Sequence, residues 1–399
     1  MKASDKGRAV VAHSGGPTPV INASLAGVIE EAAKHTEITS LYGAQFGISG
    51  VLNEDFIDLS RQPEEIINAV SRTTASALGS SRREIKKVDL DRVLDIFAAH
   101  GARYFFYTGG NGSMGTAHQI QTAAQARGDD LRVIGIPKTI DNDLLGTDHS
   151  PGYPSTARFF AHAVRDIGAD NRSLPGQVEI IEILGRNTGW LAAATSLART
   201  REDDAPHLIY FPEQRLSLDR LVMDVERVYR RLNRCVVAVC EGQLNEYGEP
   251  FGADTRTGSR GSLAMNLAHR LAMLIAESLK IRARSEKPGL LGRASSAYVS
   301  TVDWEEARMC GQAAIQAALR NESGKMVTIV RAQQEPYAST HDLIDLAKVA
   351  YLEKPFPTEW RNAEGNDVLP AFREYILPLA GPVPAGGRLE SIRVSTSPR

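Results

Sequence analysis

Two carboxylates, Asp141 and Asp143, stand two residues apart in the segment Pro137-Lys138-Thr139-Ile140-Asp141-Asn142-Asp143. A pair this close can divide labour: one accepts a proton from an attacking hydroxyl while the other binds Mg2+, largely through water. Taken alone, the same residues suit an Asx-type turn that caps local backbone. Cations follow glycine turns elsewhere in the chain. Arg82 comes after Leu78-Gly79-Ser80-Ser81, and Arg186 after Leu184-Gly185. A guanidinium so placed can hold a transferring phosphoryl group with both arms, and an arginine in that role supplies about 10³–10⁵ in rate. Arg282, Arg284, Lys287 and Arg293 form a basic segment that suits either a sugar-phosphate clamp or a solvated helix end.

Glycine-rich loops precede these groups. His13-Ser14-Gly15-Gly16-Pro17 is one; Gly109-Gly110-Asn111-Gly112-Ser113-Met114-Gly115 is another, and it contains G-x-G-x-x-G. In a dinucleotide site this pattern is followed about 20 residues on by an acidic residue that holds the ribose. Here the next apolar run ends in Pro137-Lys138-Thr139, a cation in the carboxylate's place. Redox-cofactor chemistry loses support, and a dehydrogenase becomes a distant reading. Backbone N–H groups at a helix N-terminus with a nearby lysine favour phosphate instead. No Walker A sequence is present. A single glycine turn is as often a ligand-free connection; two of them beside Lys138, Asp141 and Asp143 are harder to read that way.

The elements that must position these loops alternate in type. Strands are predicted at Ala9–Ala12, Arg103–Tyr107, Val133–Ile136, Val178–Ile183, Leu208–Phe211, Cys235–Cys240 and Val327–Val330. Helices are predicted at Asn22–His35, Gln119–Arg127, Leu218–Arg231, Ser262–Leu279, Trp304–Leu319 and Leu343–Val349. Apolar strands separated by helices imply parallel sheets covered on both faces, whose ligands sit beyond the carboxyl ends of the strands. All the loops above occupy such ends. The Gly-, Pro- and Ser-rich stretch from Gly381 to Arg399 reads as a tail or a subunit-contact arm.

Composition narrows the function further. The 399 residues are 42% apolar and 24% charged, so they suit two or three packed domains rather than disorder. Lys+Arg (46) nearly cancels Asp+Glu (48), giving a net charge of −2 and no field for nucleic acid or an anionic membrane. The apolar run near Ala9 is too short for a signal peptide, and none reaches the ~18 residues of a membrane span. Three cysteines with no Cys-x-x-Cys spacing point to a reduced, cytoplasmic setting. Nine scattered histidines and no His-Glu-x-x-His argue against a zinc site.

Together, Ser14-Gly15-Gly16, Leu78-Gly79-Ser80-Ser81-Arg82, Gly109–Ser113, Pro137–Asp143, Leu184-Gly185-Arg186, Glu241 and Pro288-Gly289-Leu290-Leu291-Gly292-Arg293 resemble the phosphofructokinase family, in family order across roughly residues 8 to 320. The resemblance implies transfer of a phosphoryl group to the C1 hydroxyl of fructose 6-phosphate, with Mg2+ as cofactor. Asp141 would be the general base and Asp143, with Asn111, would hold the metal. Gly15, Gly16, Gly110, Asn111, Gly112 and Ser113 would cradle the donor, and Arg82, Arg186 and Lys138 would neutralise the phosphoryl group. Thr139, Gly185 and Glu241 would contact the sugar. Arg293, with Arg284 lent by a neighbouring subunit, would bind the 6-phosphate, which implies a homodimer or homotetramer.

The implied architecture is two doubly wound, Rossmann-like α/β lobes with the active site in the cleft between them. Residues 1–152 plus about 297–345 would bind the donor; residues 153–296 plus about 346–399 would bind the sugar phosphate and add a C-terminal extension. Lys138 is the residue that pyrophosphate-using members carry, whereas bacterial ATP enzymes have glycine there. Gly112 points the other way, because pyrophosphate members commonly have an aspartate that blocks the nucleotide α-phosphate. The Ser14–Thr18 opening and the Pro288–Arg293 segment favour pyrophosphate as donor. The alternatives are an ATP-dependent 6-phosphofructokinase and a non-catalytic sugar-phosphate-binding regulator. The chain departs from the family pattern in three places: Asn111 replaces an acidic residue, Gln177 replaces a phosphate-binding arginine, and Leu290 replaces a sugar-contacting histidine.

Overall fold

The computed structural model describes residues 6–251 and 266–392. Eleven strands among them form two sheets: β1 (Gly7–His13), β2 (Ile38–Ala44), β3 (Phe56–Asp58), β4 (Ala102–Gly109), β5 (Arg132–Pro137), β6 (Gln177–Ile183), β7 (Leu208–Tyr210), β8 (Arg234–Cys240), β9 (Arg282–Glu286), β10 (Lys325–Gln333) and β11 (Ala338–Asp345). The larger sheet has the order β11-β10-β5-β4-β1-β2-β3, and the smaller β7-β8-β6-β9. Pairing is parallel except at the two edges of the larger sheet, where β3 and β11 run antiparallel to their neighbours. The alternation of strands and helices led to parallel sheets, and the two sheets are the two Rossmann-like lobes that the family resemblance implies.

The central strands are continuous apolar runs because helices cover both faces. Phe105 and Phe106 on β4 point to opposite sides, and both are fully buried, in separate clusters. Burying each such ring contributes about 1.5–3 kcal/mol. On one face the helices Ile21–Ala32 and Thr301–Leu319 cross at glycines: a Cβ on Gly27 would overlap the Arg308 carbonyl, and one on Gly311 the Ser24 carbonyl. Only hydrogen at both positions permits this approach, and it draws the helix Thr301–Leu319 onto the first sheet although it follows the second in sequence. Ser300 caps that helix by accepting from Asp303 N. The Asp303 carboxylate in turn accepts from the backbone of Gly152 and Ser155, tying it to the start of the helix Tyr153–Ser173.

All seven predicted strands form, with no end displaced by more than three residues. The helix predicted at Leu343–Val349 does not: its first three residues complete β11, and only Leu346–Lys348 makes a short 3₁₀ turn. The apolar spacing there is satisfied by strand pairing, because β10 offers a free edge one hairpin away. The helix expected from Ser262 is observed as Leu267–Leu279; residues 262–265 lie outside the described residues. The C-terminal stretch is held to its own chain at Arg388, paired to Asp203 at 2.7 Å and also to Asp204, while Leu389 and Ile392 are exposed. Residues 393–399 of that stretch are outside the described set.

Candidate active site

Register brings the expected loops together. His13 pairs with Thr108, Thr108 with Ile136, and Gly109 with Pro137, so β1, β4 and β5 end level. The loops beginning at Ser14, Gly110 and Lys138 therefore emerge side by side. In the second sheet Ile183 pairs with Cys240, so Leu184-Gly185-Arg186 and Glu241-Gly242 also emerge together. A cleft of about 930 Å³ lies between the two sets of strand ends.

The first loops are stitched into one surface. Gly15, at φ +79°, donates its N–H to the Ser81 carbonyl at 3.0 Å, and Ser80 Oγ donates to the Gly15 carbonyl at 2.6 Å. Lys138 lies beneath, 3% exposed, and its Nζ donates to the carbonyls of Ser14 and Gly16, both at 2.7 Å. Burial, opposed by Asp141, lowers its pKa to about 7. A third N–H of the ammonium remains for a ligand in the cleft, whose wall Lys138 shares. Gly112 is exposed, and a Cβ there would meet nothing within 4 Å.

The carboxylate loop is shaped by Asn142. It is fully buried, at φ +56°, and its Oδ1 accepts from Ser150 N at 3.0 Å, which leaves Asp141 and Asp143 on the cleft wall to either side. Burial raises the Asp141 pKa to about 7; the Asp143 charge adds to this, and Arg186 opposes it. Arg186 Nε stands 4.0 Å from Asp141 Oδ2. Burial also raises Asp143, with the Glu353 charge acting in the same direction and a Thr139 hydrogen bond against it. Asn111 Nδ2 donates to Asp143 Oδ2 at 2.7 Å. The remaining oxygens, Asn111 Oδ1 and Asp143 Oδ1, are buried without a donor among the described residues.

Such orphaned oxygens fit a hydrated Mg2+. No group of three or more His, Cys, Asp or Glu side chains suited to a metal occurs among the described residues. Any ion here would therefore take most of its ligands from phosphate and water, the usual habit of Mg2+.

Positive charge gathers beside the Gly15–Gly16 turn. A Cβ on Gly16 would come 2.7 Å from an Arg293 nitrogen and 3.8 Å from an Arg82 nitrogen, so the two guanidiniums flank that glycine. Burial, then repulsion from Arg82 and Arg186, lowers the Arg293 pKa. Three guanidiniums held close with few counter-charges make a seat for a polyanion. Glu241, its pKa raised by burial, lines the same cleft and accepts from Arg186 N at 3.3 Å.

The Phosphofructokinase family description matches residues 8–318. The chain belongs to the phosphofructokinase family. It is 38% identical over 400 residues to a pyrophosphate–fructose 6-phosphate 1-phosphotransferase of Rhodospirillum rubrum, covering 98% of each chain. It is 31% identical over 328 residues to a sulfofructose kinase of Alkalicoccus urumqiensis, covering 81% of this chain and 84% of that one. The crystal structure of a pyrophosphate-dependent phosphofructokinase from Marinobacter aquaeolei superimposes with a TM-score of 0.86 at 33% identity, covering 96% of this chain and 94% of that one.

Most of the residues that the family pattern singles out share the cleft wall: Gly15, Gly16, Arg82, the 110–113 loop, Lys138, Thr139, Asp141, Asp143, Arg186, Glu241 and Arg293. Two do not. Gly185 sits behind the wall, where its φ of +141° lets the chain turn and deliver Arg186. Arg284 is exposed on the edge strand β9, outside the cleft. Gln177 is buried at the start of β6, at the end of the strand opposite the cleft, and Leu290 stands 63% exposed on the cleft wall. Sequence reasoning missed Tyr351 and Glu353, which also line the cleft. They carry no motif and arrive only because the chain crosses back after β11.

Proposed function

We propose that this phosphofructokinase transfers a phosphoryl group from pyrophosphate to the C1 hydroxyl of fructose 6-phosphate, releasing phosphate and fructose 1,6-bisphosphate. The observation that carries the reading is Asp141: a largely buried carboxylate with a pKa near neutrality, beside Arg186, in a cleft that Arg82 and Arg293 also line. A general base works best with its pKa near the working pH.

In this mechanism Asp141 accepts the C1 hydroxyl proton as that oxygen attacks the terminal phosphorus. The bond from phosphorus to the bridging oxygen breaks, and the leaving phosphate keeps the electron pair. Arg82 and Arg186 neutralise the equatorial oxygens, which is most of what phosphoryl transfer demands of a protein. The Gly15–Gly16 and Gly110–Ser113 turns seat the donor with backbone N–H groups, stiffened from below by Lys138. Thr139 and Glu241 hold sugar hydroxyls, and Arg293 takes the 6-phosphate. Asp143 and Asn111 would hold Mg2+, which when bound neutralises donor charge.

The lobe that contains residues 1–152 and about 297–345 is assigned to the donor, and the remainder to the sugar phosphate. Arg284, exposed on an edge strand, suits a role in a neighbouring subunit's site and so a homodimer or homotetramer. The three cysteines are free and buried, and no helix among the described residues is long and apolar enough to cross a membrane; the reduced thiols support a cytoplasmic setting.

A coupled assay with fructose 6-phosphate, Mg2+ and either pyrophosphate or ATP tests the assignment. Turnover with pyrophosphate at least tenfold above that with ATP is expected; the reverse order would reassign the donor, and silence with both would favour a binding regulator. A second acceptor is favoured by Leu290, an apolar residue on the sugar-facing wall, and by the sulfofructose kinase relative. A sulfonated fructose belongs in the same assay.

A further inference from the structure

After β11 the chain crosses the cleft mouth as a strap, beyond the residues 8–318 that match the family. Its attachments are specific. Tyr351 N donates to the Asn111 carbonyl at 3.4 Å, and Lys354 N donates to the Asp143 carbonyl at 2.7 Å. The Lys354 ammonium is held from behind by the carbonyls of Thr147 and Asp148, both at 3.0 Å, and lies 4.9 Å from the Trp190 ring centre. Tyr351 takes a left-handed φ of +61°, and its hydroxyl accepts from Gln119 at 2.6 Å.

A strap pinned to the main chain of both Asn111 and Asp143 brings Glu353 to the cleft that they also line. Its two oxygens accept from Asn187 Nδ2 at 3.1 and 3.2 Å, which orients the carboxylate and still leaves lone pairs for water. Asn111 offers an oxygen dipole and no charge at a position where the family pattern has an acidic residue. The buried Asn111 Oδ1 and Asp143 Oδ1 lack donors among the described residues, so this end of the cleft has cation-seeking oxygens but one formal charge fewer than the pattern calls for.

We propose that Glu353 restores that charge from outside the matched region, as a positioning residue that holds the water shell of a divalent cation bound between Asn111 and Asp143. The assignment rests on the phosphoryl-transfer reading, which is what places a cation there. Carboxylates in this outer position typically govern metal affinity by about 10–100-fold.

The test is Mn2+ binding, read by water-proton relaxation in the presence of methylenediphosphonate, a pyrophosphate mimic with no cleavable bridging oxygen. Glu353→Gln is expected to weaken Mn2+ binding by about tenfold, at the lower end of that range. Asn111→Asp in the same background is expected to recover it, because the charge returns by the other route. Unchanged affinity in Glu353→Gln, or no recovery in the double variant, would overturn the proposal. Should Glu353→Gln be unstable, Asn187→Ala frees the carboxylate without touching the strap; weaker Mn2+ binding is expected there too, and unchanged binding counts against the role. Turnover of pyrophosphate and fructose 6-phosphate by the unaltered protein is measured alongside. Loss of the Mn2+ effect with turnover intact sinks the Glu353 role alone, whereas absent turnover with the effect present sinks the reaction assignment.

Discussion

Lys138 Nζ donates to the Ser14 carbonyl at 2.7 Å, so the ammonium that faces the cleft also fixes the first donor loop to the carboxylate loop. Replacing it removes a charge from the donor and two hydrogen bonds from the loop. It also relieves the cost of burying an ammonium, so the effect on stability partly cancels. Lys138→Met is therefore expected to fold, with kcat/KM for pyrophosphate lowered at least tenfold. Because burial lowers this pKa to about 7, the unaltered enzyme should lose kcat/KM as pH rises through that value. The methionine variant should lack this alkaline limb. An identical alkaline limb in both proteins would remove Lys138 from donor binding.

Asp141 acts in the opposite sense. Its proton must be off for catalysis, so kcat/KM should rise with pH through about 7. The raised pKa also bears on folding: the folded state holds the proton more tightly than the unfolded chain. Ionising the group therefore costs stability progressively between the ordinary carboxylate range and about pH 7. Asp141→Asn removes both the base and the cost. Turnover is expected to fall by about 10²–10⁴, the usual worth of a positioned base. At pH 8 the variant should melt higher than the unaltered protein. A variant that kept full turnover, or melted lower, would contradict the assignment.

His149 gives the fold a pH dependence of its own. It is fully buried between Asp148, at 2.8 Å, and Glu306, at 2.6 Å. Burial opposes its charge, but Glu306 and Asp148 outweigh burial and raise its pKa to about 9. A raised histidine pKa stabilises the fold fully below about 6.5, and the contribution disappears as pH rises through about 9. The shift corresponds to about 3 kcal/mol. Melting temperature should therefore decline between pH 6.5 and 9, and His149→Gln should melt lower at pH 6 with a flatter profile. Parallel profiles for the two proteins would exclude the imidazolium as the source.

The site was legible in the sequence wherever a short segment carries both a turn and its chemistry. Pro137–Asp143 and Gly109–Ser113 each end a strand and begin the cleft wall, so spacing pointed to Asp141 and Lys138, and the family resemblance to Asn111. Strand ends were legible because buried parallel strands are unbroken apolar runs. β11 was not: at an exposed antiparallel edge the apolar spacing of Leu343–Val349 fits a helix as well, and only the vacancy beside β10 decides. Glu353 was invisible for a related reason. Its position depends on the chain returning to the first sheet through two helix glycines, Gly27 and Gly311, and then crossing the cleft. Gly185, expected at the sugar, lies behind the cleft wall, where its turn delivers Arg186.

Gly242 offers a test of that last geometry. It follows Glu241 at the end of β8, and a Cβ there would overlap the Arg186 carbonyl. Arg186 is itself at φ +50°; its N–H donates to the Glu241 carboxylate and its carbonyl accepts from Cys240 Sγ at 3.6 Å. The alanine must therefore push Arg186 away from Asp141 or shift β8, whose Cys240 is wholly buried. Moving a charged group by about 1 Å can cost 10²-fold in rate. Gly242→Ala is expected to lower kcat by about that factor, with a smaller change in the KM for fructose 6-phosphate. The pH profile is the discriminating measurement: with the Arg186 charge farther off, Asp141 should titrate higher, displacing the acid limb upward. An unshifted limb with full kcat would show that Arg186 neither neutralises the phosphoryl group nor tunes the base.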